Sequence, residues 1–181
     1  MTATEIKLGN TNPYSGPASA YGTIGKSIGA YFKKINEEGG INGRKINFVT
    51  LDDAYSPPKA VEMVRKLVEQ DQVLLLFQTL GTPSNSAIWK YMNDEQVPQL
   101  FVATGATKWG DPKGHPWTMG WQPTYQAEGQ IYAQYVLKNV PDAEDRDPLP
   151  ERRLREGLPQ GLQGRPRPRR QGDRARAVAT R

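Results

Sequence analysis

Residues 45–77 read KINFVTLDDAYSPPKAVEMVRKLVEQDQVLLLF, and the succession of patterns in this stretch predicts how the chain folds. Residues 45–51 combine β-branched and aromatic side chains, which is typical of a strand. Residues 57–58, both proline, then open a helix. The apolar residues of that helix recur on one face: Val61, Val64, Leu67 and Val68. Residues 73–77 are continuously apolar, as expected for a strand buried on both sides.

The same alternation continues on both sides of this stretch. Strands are predicted at 6–10 and 99–102, and helices over 24–38, over 125–139, and from a cap at 81–84 to about residue 94. Strands that alternate with helices form a parallel sheet with right-handed crossovers. We therefore expect an α/β fold, a three-layer αβα sandwich with a mainly parallel, doubly wound sheet. Ligands of such sheets bind beyond the carboxyl ends of the strands.

The positive charge of the chain is confined to its last part. Lysines and arginines balance the acids over residues 1–143, whereas residues 144–181 hold 11 arginines and 6 acids and so account for the net charge of +5. The pI near 9.4 therefore describes the tail alone. A nucleic-acid partner is not expected, because the body of the chain carries no basic excess.

The tail also differs in composition. After residue 143 there is no Ile, Phe, Tyr, Trp or Met, and Arg, Pro, Gly, Leu and Gln dominate. These are residues of GC-rich codons, and the same codons read one nucleotide later from residue 144 can encode Lys-Ile-Ala-Ile-Leu-Tyr, a strand, and then the start of a helix. We therefore expect an N-terminal ligand-binding lobe at 5–143 and a frameshifted tail at 144–181. The alternative is a genuine disordered basic tail.

Catalytic and metal chemistry have few candidate residues. There is no cysteine, and the one histidine, His115, is expected to be a surface loop residue without a nearby acid or nucleophile. Residues 25–27 (GKS) lack the earlier glycine of a phosphate-binding loop, so close helix packing through glycine is preferred. For Asp52 and Asp53, capping and local hydrogen bonding are preferred over an acid pair or metal site. No enzyme activity, cofactor or metal is expected.

Two small polar loops are the candidates for ligand binding, at 78–85 and 103–107. Each combines hydroxyl groups with glycine, so that backbone N–H and C=O groups can approach a ligand closely. The first leads into a helix, whose N-terminus favours a carboxylate. Such loops bind zwitterions or anions without reacting with them, although helix capping alone would also account for them.

Several short motifs together resemble the leucine/isoleucine/valine-binding proteins, which have the type I periplasmic binding fold and serve ABC importers. These motifs are YSGP (14–17), YG (21–22), IN (35–36), GGING (39–43), DDA (52–54), Pro57, AV (60–61) and GAT (105–107). The resemblance implies a periplasmic substrate-binding protein for amino-acid transport, with an ABC permease in the inner membrane as its partner. It also implies that a second lobe closes on the solute.

The resemblance also implies particular binding residues. Tyr21 would cover the side chain of the solute, while Gly105, Ala106 and Thr107 would hold its ammonium and carboxylate groups. The chain departs from the amino-acid binders where they have a serine, because Gly81 followed by Thr82 stands there. Trp121 and Tyr125 could also line the cleft, although buried aromatic residues more often belong to the core.

This departure leaves the cargo open between a branched-chain or related amino acid and an aromatic or other organic acid. A ligand-sensing receptor domain is a further alternative. Residues 1–4 lead into the first strand without a basic and apolar leader, so we expect a periplasmic protein whose signal peptide has been removed.

Overall fold

The computed structural model describes residues 2–139. The main elements are β1 (Glu5–Asn12), α1 (Gly22–Glu37), β2 (Lys45–Asp52), α2 (Pro57–Arg65), β3 (Leu75–Phe77), α3 (Thr82–Asp94), β4 (Gln99–Val102), β5 (Thr118–Gly120) and α4 (Tyr125–Asn139). The chain divides into two compact units after Thr124, so that β1–β5 and α1–α3 form the first unit and α4 belongs to the second. The predicted boundary at residue 143 lies outside the described residues.

The five strands form one sheet in the order β2-β1-β3-β4-β5, and every neighbouring pair is parallel. The chain moves outward from β1 to β2, returns to the other side of β1 at β3, and then continues outward to β5. This reversal of direction is the signature of a doubly wound sheet. The predicted α/β class and parallel sheet are confirmed.

One face of the sheet packs against α2 and α3 through the main apolar core. Its buried side chains come from α2, from the turn and the segment that lead from α2 to β3, from β3 itself and from α3, and they are Val64, Leu67, Val73, Leu76, Ile88 and Met92. The spacing of the first two follows the apolar period predicted for α2. Each such side chain contributes about 1.5–3 kcal/mol by leaving water.

The opposite face packs against α1 through aromatic rings. Phe32 of α1 contacts Phe48 and Phe77, at centroid distances of 5.3 and 5.5 Å, and Phe77 contacts Phe101 at 5.6 Å. Leu76 and Phe77 are adjacent, and successive strand residues point to opposite faces. The sheet is therefore covered on both sides, as the predicted three-layer sandwich requires.

Close packing of α1 depends on glycine at its start. A Cβ atom added to Gly25 would lie 2.0 Å from the Tyr14 Oη atom, and one added to Gly22 would lie 3.0 Å from the same ring. Gly29 has only an ordinary contact, 3.8 Å from Phe48. The preferred explanation of this segment, close helix packing, is thus confirmed at Gly22 and Gly25, while Gly29 has room for a side chain.

Three features differ from the predicted pattern. The short strand β5 was not predicted, since Thr118-Met119-Gly120 has no apolar run to mark it. The third strand begins at Leu75, because Val73 N–H instead bonds to the Leu67 carbonyl at the end of the preceding helix. That helix ends in a single π-helical turn, Lys66–Gln70.

Candidate functional site

The candidate site lies at the edge of the sheet where parallel strands end. The carboxyl ends of β1 to β4 meet there, and they lead into the loops at 13–21, 53–56, 78–81 and 103–106. The predicted location of the ligand loops therefore follows directly from the sheet order.

Asp52, the last residue of β2, fastens the first loop to the second. Its Oδ1 atom accepts hydrogen bonds from the backbone N–H groups of Tyr14 (2.9 Å), Ser15 (3.1 Å) and Ala54 (2.9 Å). Its Oδ2 atom accepts from the Ser15 hydroxyl (2.5 Å) and from Lys59 Nζ (3.2 Å). Desolvation acts to raise the pKa of Asp52, but these hydrogen bonds outweigh it and hold the pKa well below its usual range.

Asp53, the next residue, has the opposite environment. Its side chain is fully buried, and its Oδ1 atom accepts a hydrogen bond from the Tyr55 N–H group at 2.9 Å. Burial raises the pKa of Asp53, and this hydrogen bond only partly offsets the effect. Local hydrogen bonding, the preferred role for the two aspartates, is confirmed. Over residues 2–139 no group of three or more His, Cys, Asp or Glu side chains could hold a metal ion.

The second loop also shapes the third. Tyr55 is in a left-handed conformation (φ 59°), and its ring lies against Gly81. Gly81 has φ 97°, and a Cβ atom there would lie 2.5 Å from the Tyr55 Cε2 atom. Glycine is therefore required at this position both by the backbone and by the packed ring.

A network of buried side-chain amides, from Asn85 and Gln99, supports the third loop on its interior side. Asn85 Nδ2 donates to the carbonyls of Thr79 (3.0 Å) and Gly81 (2.8 Å). Its Oδ1 atom accepts from the Thr79 hydroxyl (2.5 Å) and from Gln99 Nε2 (2.6 Å). Asn85 and Gln99 were not predicted as supporting residues. The available signal was polar side chains at positions that the helix and strand patterns assign to the interior.

The third and fourth loops are joined to each other. The Gly81 N–H group donates to the Ala103 carbonyl at 3.4 Å, and the hydroxyls of Thr82 and Thr104, both buried, share a hydrogen bond of 2.5 Å. The two small polar loops therefore form one surface beside the N-terminus of α3. Unpaired N–H groups at a helix N-terminus can bind an anionic group such as a carboxylate.

The predicted binding residues divide into two sets. Gly81, Thr82 and Gly105 are buried, Ala106 is half-buried and Thr107 is exposed. All five lie in the joined loops or directly after them. By contrast, Tyr21 and Trp121 are 59% and 62% exposed. Within residues 2–139 they make no hydrogen bond or ring contact with those loops, and Trp121 instead contacts Phe101 at 5.7 Å. The binding roles of all seven residues stay predictions.

The expectation for His115 was wrong. Its ring is half-buried and stacks on Trp89, with 3.5 Å between the ring centroids and 23° between the planes. Its Nδ1 atom lies 3.5 Å from Oδ2 of Asp111, so an acid is close by. A four-residue separation in a tight turn brings His115 and Asp111 together, which composition alone does not show.

In the described part of the chain, no helix is long and apolar enough to cross a membrane.

Comparison with known proteins gives a consistent result. Residues 5–143 match the family described as periplasmic binding protein. The leucine-specific-binding protein of Salmonella typhimurium is 30% identical over 144 residues, which cover 76% of this chain and 37% of that protein. The chain thus spans a little over a third of the length of this relative.

Solved structures show the same fold. The branched-chain amino acid transporter substrate binding protein from Streptococcus pneumoniae, in complex with isoleucine, has a TM-score of 0.65 at 26% identity, covering 75% of this chain and 39% of that one. A solute binding protein of an ABC transporter from Rhodopseudomonas palustris, in complex with 3,4-dihydroxy benzoic acid, has a TM-score of 0.62 at 21% identity, covering 75% and 37%.

Proposed function

The chain belongs to the periplasmic binding protein family, and from this premise we propose that it supplies the N-terminal lobe of the solute-binding component of an ABC importer. Its solute is a branched-chain or related amino acid, held in the cleft between this lobe and a second one. The two lobes close by a hinge motion, and the closed form is presented to a permease in the inner membrane. The protein acts in the periplasm and performs no catalysis.

The joined pair of polar loops is the observation that carries this proposal. The Thr82–Thr104 hydrogen bond fixes the third loop against the fourth, next to the N-terminus of α3. An amino acid needs acceptors for its ammonium group and donors for its carboxylate. Backbone carbonyls, the exposed Thr107 hydroxyl and the N–H groups of the loops supply both kinds of group.

A second candidate solute is an aromatic or other organic acid. Gly81 offers no hydroxyl where the amino-acid binders have a serine, so recognition of the ammonium group is weaker at this position. Tyr21 and Trp121 add exposed aromatic surface that would suit a flat ring. The fold itself accommodates such a solute in the Rhodopseudomonas palustris protein.

We further propose that the lobe comprises residues 5–143 and that residues 144–181 are the product of a shifted reading frame. Sequencing the encoding DNA through codon 143 and beyond tests this directly. A +1 frame that continues into a second βα lobe supports the proposal. A +1 frame that closes at once would make the arginine-rich tail genuine and would favour a single-lobe sensor.

Calorimetric titration then tests the solute. The frame-restored protein is titrated with leucine, isoleucine, valine and 3,4-dihydroxybenzoate, and the 181-residue chain is expected to bind each with a dissociation constant above about 1 mM. In the restored protein, Thr107→Val should weaken binding at least about tenfold, because it removes a hydrogen-bonding hydroxyl. Thr4→Val is the matched control, since Thr4 precedes the amino end of β1, and the loops follow the carboxyl ends of the strands. Equal effects of the two substitutions would refute the loop assignment.

A further inference from the structure

The outer edge of the sheet on the β2 side leaves backbone groups without partners. β2 is an edge strand, and only β1 pairs with it. The Lys45 N–H group bonds to the Thr4 carbonyl on the β1 side, and Asp53 N–H likewise bonds to Asn12. Odd-numbered residues of β2 therefore face β1, and even-numbered residues direct their N–H and C=O groups outward.

One of these outward positions is filled by a side chain. The Asn36 amide, at the end of α1, donates to the Ile46 carbonyl at 2.8 Å and accepts from the Ile46 N–H group at 2.7 Å. It thus reproduces the hydrogen bonds of a neighbouring strand at a single residue. The outward groups of Phe48 and Thr50 have no such partner among residues 2–139, so the available edge is a short segment centred on Val49.

A groove of about 440 Å³ lies beside this free segment, between α1 and β2. Phe32 and Phe48 form its apolar part, and Lys26 and Lys33 of α1 line it with positive charge. No carboxylate is among its lining residues. Lys33 makes an exposed, long ion pair with Glu37, at 4.0 Å, whereas Lys26 has no ion-pair partner in the described part of the chain. The groove therefore combines a cationic wall with an open strand edge.

We propose that this edge and groove form a docking site for an extended, acidic segment of a protein partner, which adds to the sheet beside β2. Main-chain hydrogen bonds to Phe48 and Thr50 would supply affinity, and acidic side chains facing α1 would pair with Lys26 and Lys33. A second copy of this chain is a poorer occupant, because edge-to-edge pairing would bring the lysines of the two copies together. The groove is lined by none of the seven residues predicted to bind the solute, so failure of solute binding would leave the docking proposal unaffected.

A designed peptide tests the proposal on the 181-residue chain. The probe is a fluorescein-labelled heptapeptide of alternating glutamate and valine, whose alternation puts every glutamate on one face of the added strand. Fluorescence anisotropy should give a dissociation constant of about 100 μM at low salt, weakening as salt screens the charges. No binding at about 1 mM peptide would overturn the proposal.

Two comparisons distinguish strand addition at this groove from non-specific electrostatic binding of the acidic peptide elsewhere on the protein. Lys26→Glu should weaken binding at least about fivefold, whereas Lys34→Glu, which makes the same charge change outside the groove, should weaken it less than about twofold. A peptide with N-methylated backbone amides on its pairing edge should lose at least about tenfold in affinity. Equal effects of the two lysine substitutions would exclude the groove, and undiminished binding of the methylated peptide would exclude strand addition. Self-association of the chain that the peptide reverses would instead assign the edge to a second copy.

Discussion

Replacing Asp52 with asparagine is expected to loosen the first two loops and to destabilise the protein in a pH-dependent way. Asparagine keeps the Oδ1 acceptor that Tyr14, Ser15 and Ala54 share. At the second position it substitutes an NH₂ group for the oxygen that accepts from Ser15 Oγ and Lys59 Nζ. The substitution therefore removes the charge and sets a donor against the ammonium group of Lys59.

The magnitude follows from the two interactions that are lost. Hydrogen bonds to a charged group contribute about 1.5–3 kcal/mol each when buried, but the Asp52 side chain is 30% exposed and solvent screening reduces this. We therefore expect a loss of about 2 kcal/mol at neutral pH. With about 2.1 cal/mol/K of unfolding entropy per residue over a unit that ends at Thr124, the melting temperature should fall by about 8 °C.

The pH dependence of the loss has a definite sign. The folded-state pKa of Asp52 is lowered, so its stabilising contribution is present above the unfolded value of about 3.9 and is lost as pH falls through the folded value. The melting temperature of Asp52→Asn should therefore lie below that of wild type by the full amount near neutral pH, and the two melting temperatures should converge in acid.

Asp53→Asn is the matched control, because its effect on stability should change with pH in the opposite direction. Burial raises the folded-state pKa of Asp53, so the wild type loses stability as pH rises through that value. The asparagine variant avoids this loss, and its stability relative to wild type should increase with pH. Thermal melts followed by circular dichroism from acid to neutral pH measure both trends. If the melting temperature of Asp52→Asn differed from that of wild type by the same amount at every pH, or if both variants changed with pH in the same direction, the assignment of opposite charge environments would be refuted.

Other substitutions test packing at glycine and at the sheet edge. Gly81→Ala should cost about 3 kcal/mol of unfolding free energy from backbone strain and the contact with Tyr55, and Tyr55→Ala should reduce the cost of that change in a double-mutant cycle. Gly25→Ala should lower the melting temperature, whereas Gly29→Ala on the same helix should raise it through about 1 kcal/mol of helix propensity; equal shifts would contradict close packing at Gly25. Asn36→Ala should cost about 1–2 kcal/mol of unfolding free energy by leaving the Ile46 backbone groups of β2 unpaired, and a melting temperature equal to that of wild type would contradict this role of the amide.

The fold could be predicted because the apolar residues of its main helices and strands recur at clear spacings. The apolar positions of α2 and the continuous run before Phe77 specify a buried strand and the helix that crosses to it, and parallel pairing follows from their alternation. β5 could not be predicted in this way, because three residues with one apolar side chain give no period. Its place in the sheet depends on pairing with β4, which is a tertiary contact.

The location of the candidate site could be predicted, but its internal contacts could not. Loops after parallel strands must gather at one edge, so the segments around Gly81 and Gly105 were identifiable from strand ends alone. The Thr82–Thr104 hydrogen bond and the ring of Tyr55 against Gly81 join residues that are distant in sequence. No local pattern encodes such approaches, since they depend on how the strands are ordered.

The amide of Asn36 has a consequence for the order in which the chain folds. It closes a loop of only ten residues onto Ile46, whereas the bond from Asn10 to the Phe77 carbonyl spans 67 residues. Short loops close at a smaller entropic cost, so the corner between α1 and β2 can form before the central strands come together. In folding kinetics, substitutions at this corner should then slow refolding more than they speed unfolding, and the corner would act as part of the folding nucleus.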